Sequence, residues 1–144
     1  MNHLDNPKQV LFVCVENACR SQMAEAFARI HGRGYVTAYS SGSAPSGTVN
    51  KRAIQFMLEL DYDLSTHQSK PLTALPQVQW DAVITMGCGD QCPLLPTDFR
   101  EDWQIPDPKD VSDETFREIR DTIEGRVIAL IQDLIAAKSQ SAQH

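Results

Sequence analysis

Cys14 and Arg20 stand six positions apart in the stretch Cys14-Val15-Glu16-Asn17-Ala18-Cys19-Arg20-Ser21. A cysteine attacks as its thiolate, and the thiolate is favoured where cations or backbone dipoles converge. Arginine offers a planar fork of N–H donors that suits a tetrahedral oxyanion. The two together describe an anion site with a nucleophile inside it. Further along, Cys88 and Cys92 stand four apart in Gly87-Cys88-Gly89-Asp90-Gln91-Cys92-Pro93. Thiols so spaced make half of a zinc site or a redox pair. No second Cys pair exists outside the first loop, and His3, His31, His67 and His144 are scattered, so no metal is expected. Asp107 precedes Pro108, which biases it to extended geometry in a stiff loop. Cys19, beside the start of a helix, is expected to pack inward.

These residues need elements to hold them. Val10-Leu11-Phe12-Val13 reads as a buried strand, and residues 21–29 are helix formers with no Gly or Pro. A loop that leaves a strand and enters a helix aims several backbone N–H groups and the positive end of the helix dipole at one point. There is no Gly-Lys-Ser/Thr sequence, so the loop is not a nucleotide P-loop. His31-Gly32-Arg33-Gly34 stops the helix, and residues 35–40 read as a second strand. Residues 41–47 read as a loop. Ala53, Phe56, Met57 and Leu60 give residues 50–60 an amphipathic helical face, and a short helix is expected near 72–75.

Residues 81–86 read as a third strand, and residues 88–108 as mostly loop with an edge strand at 103–105. Ser112 is a helix N-cap, with Asp113 and Glu114 in the first turn. Phe116, Ile119, Ile123, Val127, Leu130 and Leu134 form its core-facing stripe. Strands alternating with helices imply a parallel sheet covered on both faces, with the site at the carboxyl end of a strand. The carboxyl end of the third strand then faces the same side as Cys14, within reach of Cys88 or Cys92 if that segment folds inward.

At 144 residues and 42% hydrophobic content the chain fits one domain. Residues 1–8 are expected to be a flexible N-terminus, 9–137 the domain, and 138–144 a fraying polar tail. The net charge of −6 carries no Lys/Arg run, which argues against nucleic acid. Neither a signal peptide nor a membrane span is legible, so the reducing cytoplasm is expected, with cysteines that are catalytic or metal-binding rather than in structural disulfides. A monomer is also expected.

The loop from Cys14 to Ser21, set between strand and helix, resembles that of low-molecular-weight tyrosine phosphatases and of the arsenate reductases built on the same fold. The resemblance runs from about residue 9 to 134. It implies a four-stranded parallel sheet in the order 2-1-3-4 with helices on both faces. It implies that Asn17 holds the loop in shape, that Ser21 hydrogen-bonds the nucleophile, and that Val15, Glu16, Ala18 and Cys19 complete the oxyanion loop. Glu16 stands where the family commonly has Gly, and its carboxylate must point away from an anion. Asp107-Pro108 matches the family's acid, which protonates the leaving oxygen. The phosphatases follow that pair with aromatic residues, whereas this chain has Lys109-Asp110-Val111, which suits a small inorganic oxyanion.

The arsenate reductases carry a Cys pair at the place of Cys88 and Cys92. The implied activity is therefore reduction of arsenate to arsenite, with phosphate or sulfate as competitor and weak phosphatase side activity. In one version Cys88 attacks Cys14 and Cys92 then attacks Cys88, leaving a disulfide for thioredoxin. In another, a small thiol (glutathione or mycothiol) attacks first and a glutaredoxin-type partner restores the enzyme. No tightly bound cofactor is implied. The alternative is a low-molecular-weight protein tyrosine phosphatase. Some of these reductases also hold potassium near the loop. Asn17, Glu25 and Ser40 match three of the residues at that site, while Lys70 stands where the fourth is Asp. The Lys70 ammonium is expected to fill the cation position and hydrogen-bond toward Glu25 and Asn17.

Overall fold

The computed structural model describes residues 6–87 and 95–142. Four strands, β1 (Lys8–Cys14), β2 (Val36–Gly42), β3 (Ala82–Thr85) and β4 (Arg100–Asp102), join three α-helices, α1 (Arg20–His31), α2 (Lys51–Leu58) and α3 (Asp113–Ala142). All strand pairs are parallel and the order is β2-β1-β3-β4, the order that the resemblance implies. β1 is therefore a central strand, and its apolar run Val10-Leu11-Phe12-Val13 is buried on both faces.

Alternation along β1 divides the core. Val10, Phe12 and Cys14 face a cluster built from all three helices, including Met23 and Phe27 of α1, Phe56 and Met57 of α2, and Phe116, Ile123 and Val127 of α3. Each such side chain, fully buried, contributes ~1.5–3 kcal/mol. All six residues of the α3 stripe are buried. Leu11, Val13 and Val83 face the other way, toward Trp80, Tyr39, Leu75, Val78 and Leu95. On that face the helical cover, among the described residues, is the single 3-10 turn Leu72–Ala74, hemmed in by Pro71 and Pro76.

Several boundaries fall away from their sequence positions. β2 continues through Ser41 to Gly42, because Gly42 pairs with Cys14 and donates its N–H to Lys70 O. α2 stops at Leu58, and Asp61 turns the chain with φ 62°, so Leu60 leaves the apolar face and is 38% exposed. The edge strand lies at Arg100–Asp102 instead of 103–105. Gln104 adopts φ 39°, which breaks the extended path, while Trp103 and Ile105 turn into the core on either side of it. β1 begins at Lys8, whose N–H donates to Tyr35 O, and α3 runs on to Ala142. Cys88 and Cys92 lie outside the described residues. Among the described residues no helix is long and apolar enough to cross a membrane.

Candidate active site

β1 ends on Cys14 and α1 begins on Arg20, so residues 15–19 form the whole connection. Asn17 sits in the middle with φ 48°, a left-handed conformation that Asn tolerates better than most side chains. It is fully buried, and its side chain is used on both sides. Nδ2 donates to Ser21 Oγ at 2.9 Å, while Oδ1 accepts from the Lys70 N–H at 2.9 Å and Gln22 Nε2 at 3.0 Å. The loop also lies flush on Gly42, where a Cβ would meet Val15 O at 2.5 Å and the Asn17 nitrogen at 2.9 Å. No other residue type leaves room for that approach.

Cys14 is 3% exposed, and its Sγ lies 2.8 Å from Ser21 Oγ. Because Asn17 already donates into that oxygen, the Ser21 proton is free to point at sulfur. Arg20 Nη1 donates to Met86 O and Ile105 O, both at 2.8 Å. No described residue takes Nε or Nη2, which leaves that edge of the guanidinium for an anion. Asp107 is exposed, and its Oδ1 accepts the Lys109 N–H at 3.0 Å. Its Oδ2 has no partner among the described residues.

One pocket of about 260 Å³ gathers Cys14, Arg20 and Asp107 with Val15, Glu16, Ala18, Cys19, Asn50, Pro108 and Lys109. Among the described residues no aromatic side chain lines it. Glu16 is exposed, and its carbonyl accepts from Ser46 N–H and Ser69 Oγ. Cys19 packs against the core, and burial first, then the neighbouring Cys14, pushes its thiol up to about 12. It stays protonated and is a poor nucleophile.

Behind the loop lies a layer of buried polar groups, of which the sequence did not single out Gln22 and His67. Gln22 Nε2 donates to Asn17 O and Gln68 O as well as to Asn17 Oδ1. Gln22 Oε1 must then accept from His67 Nδ1–H at 2.9 Å, which leaves His67 Nε2 to accept from the Tyr62 hydroxyl at 2.6 Å. Burial pulls the His67 imidazole below its ordinary value, so the ring is neutral. Glu25, 2% exposed, accepts from Ser40 Oγ and pairs with Arg29 on its other oxygen. Lys70 Nζ stands 3.8 Å from Glu25 Oε1 and donates to Gln68 O at 3.2 Å. Lys70 reaches Asn17 through its amide, where the sequence reading expected its ammonium.

The parallel sheet with a cysteine and an arginine on its first strand-to-helix loop defines an oxyanion-binding α/β domain. A family model, low molecular weight phosphotyrosine protein phosphatase, matches residues 9–140, and the chain belongs to that family. Among its relatives is the glutaredoxin arsenate reductase of Synechocystis sp., 40% identical over 127 residues that span 86% of this chain and 96% of that protein. An arsenate reductase of Staphylococcus aureus is 39% identical over 121 residues, covering 81% and 90%. A solved structure of an arsenate reductase in the phosphate binding state superposes with TM-score 0.79 at 39% identity, covering 88% of this chain and 98% of that one.

Proposed function

We propose that this chain reduces arsenate to arsenite, with Cys14 as nucleophile, Arg20 and the loop amides as the oxyanion cradle, and Asp107 as general acid. The observation that carries the reading is the pocket shared by these three side chains, small and, among the described residues, without an aromatic wall to hold a phenyl ring. The names of the Synechocystis and Staphylococcus relatives support it. Cys14 thiolate attacks arsenic(V) and forms an S–As bond, while Asp107 gives its proton to the departing oxygen, which leaves as water. A second thiolate, assigned to Cys88, attacks Cys14 Sγ. The S–As electron pair stays on arsenic, which leaves as arsenite(III), and a disulfide takes its place. Cys92 then exchanges onto Cys88, and a thioredoxin- or glutaredoxin-type dithiol reduces the resulting bond. Glutathione or mycothiol is the alternative first attacker. Phosphate and sulfate compete for the cradle, and slow aryl phosphate hydrolysis accompanies the main activity.

The test is arsenate turnover with thioredoxin, glutaredoxin or mycothiol supplied one at a time. One donor is expected to sustain many turnovers. Failure of all three, beside brisk hydrolysis of phosphotyrosine, would instead establish the tyrosine phosphatase reading.

A further inference from the structure

The peptide joining Met86 to Gly87 is held at both of its polar ends. Its N–H donates to Asp102 Oδ1 at 2.9 Å, and its carbonyl accepts from Arg20 Nη1 at 2.8 Å. Asp102 Oδ1 takes a second donor, Thr85 Oγ1 at 2.8 Å, which fixes the carboxylate against the last residue of β3. Gly87 has φ 91°, and a Cβ there would come 3.2 Å from Arg20 Nη1, so the guanidinium rests beside bare backbone. A glycine flank lets a peptide plane rotate at little cost, and the Asp102 carboxylate is what holds this one. A carboxylate acceptor also polarises the peptide that donates to it, making the carbonyl at the other end a stronger acceptor.

We propose that Asp102 is a positioning residue of the oxyanion site, acting on Arg20 through the Met86–Gly87 peptide without touching the guanidinium. The proposal rests on the reading of Arg20 as the oxyanion ligand. The second acceptor of Nη1, Ile105 O, keeps part of the guanidinium's seat when the peptide turns, so the effect is graded rather than all-or-none. The competing role, a staple between β3 and β4, belongs to the Thr85–Asp102 bond and can be removed separately.

Calorimetric titration of the reduced protein with inorganic phosphate distinguishes them. Asp102→Ala should weaken phosphate binding about fivefold or more, the scale of a lost charge-assisted hydrogen bond felt at one remove. Asp102→Asn, which keeps an acceptor oxygen, should recover most of that loss. Thr85→Val should stay within about twofold of wild type, and in an Arg20→Ala background Asp102→Ala should add nothing. Asp102→Thr, compatible with a strand and too short to reach Gly87, replaces the Ala variant if that one does not fold. Wild-type affinity in Asp102→Ala and Asp102→Thr, an equal loss in Thr85→Val, or an undiminished loss without Arg20 would each overturn the positioning role alone. A wild-type chain that binds no phosphate would remove the oxyanion reading of the loop and this proposal with it.

Discussion

Ser21 stands between the loop's structural asparagine and its sulfur, and one hydroxyl serves both. Ser21→Ala should therefore slow alkylation of Cys14 by iodoacetamide at pH 7 about tenfold or more, since a hydrogen bond to a charged group is worth ~1.5–3 kcal/mol. Cys14→Ser should abolish arsenate reduction and aryl phosphate hydrolysis together. Residual rates above about a tenth of wild type would remove Cys14 as nucleophile. Asp107→Asn should spare a good leaving group and penalise a poor one, so hydrolysis of phenyl phosphate should fall further than that of p-nitrophenyl phosphate. Equal losses on the two esters would deny Asp107 its role as acid. Cys14 and Arg20 stood out by residue type and spacing between a strand and a helix, whereas Asn17, Ser21 and Asp107 were named through the family resemblance. Gln22, His67 and Gly42 were marked by neither. Their partners are Gln68, Gln22 and the loop backbone, distant in sequence, and nothing local distinguishes a Gln that supports a loop from one that faces water.

The elements show the same division between local and distant causes. α3 was readable because its stripe repeats at helical spacing and Ser112 Oγ accepts the Thr115 N–H at its start. β4 was misplaced because Trp103 and Ile105 are apolar on an alternating pattern, and only the positive φ at Gln104 shows that they are not a strand. Where α2 meets α3, Arg117 and Arg120 hold Glu59, and their hydrogen bonds, Arg117's first, bring its carboxyl down to about 2 from 4.5. A depressed carboxyl stabilises the fold above its unfolded value, and that contribution is lost as pH falls from about 4.5 toward 2. Urea midpoints measured between those limits should fall more steeply for wild type than for Glu59→Gln. Parallel curves would show that the pair contributes nothing. Beside the middle of α1, the Lys70 ammonium supplies positive charge to Glu25. Melting temperature should be the same in potassium and sodium at matched ionic strength, and Lys70→Asp should make it potassium-dependent. Specific stabilisation of the wild type by potassium would show that the ammonium does not fill the cation position.

At the scale of the molecule, parallel order β2-β1-β3-β4 sets the exits of β1 and β3 side by side, since Val13 pairs with Thr85 and Met86 N–H donates to Val13 O. The chain therefore enters the segment with Cys88 and Cys92 directly beside the strand that delivers Cys14. The alternation of strand and helix implied a parallel sheet, the family resemblance supplied this adjacency, and neither announced the short cover on the sheet's second face. A relay of thiols has a consequence that separates it from hydrolysis. Attack of Cys14 on the oxyanion needs only the loop, Arg20 and Asp107, so Cys88→Ser and Cys92→Ser should hydrolyse p-nitrophenyl phosphate within about twofold of wild type. Release of arsenite needs the second thiol. Cys88→Ser should form the Cys14–arsenic adduct and stop there, giving at most one equivalent of substrate consumed and no arsenite. Cys92→Ser should release about one arsenite and halt at a Cys14–Cys88 disulfide, visible by mass spectrometry after blocking free thiols. If the two variants exchange these behaviours, the order of attack is reversed. If both sustain many turnovers with every donor, the pair carries no electrons and the reduction runs through an external thiol on Cys14.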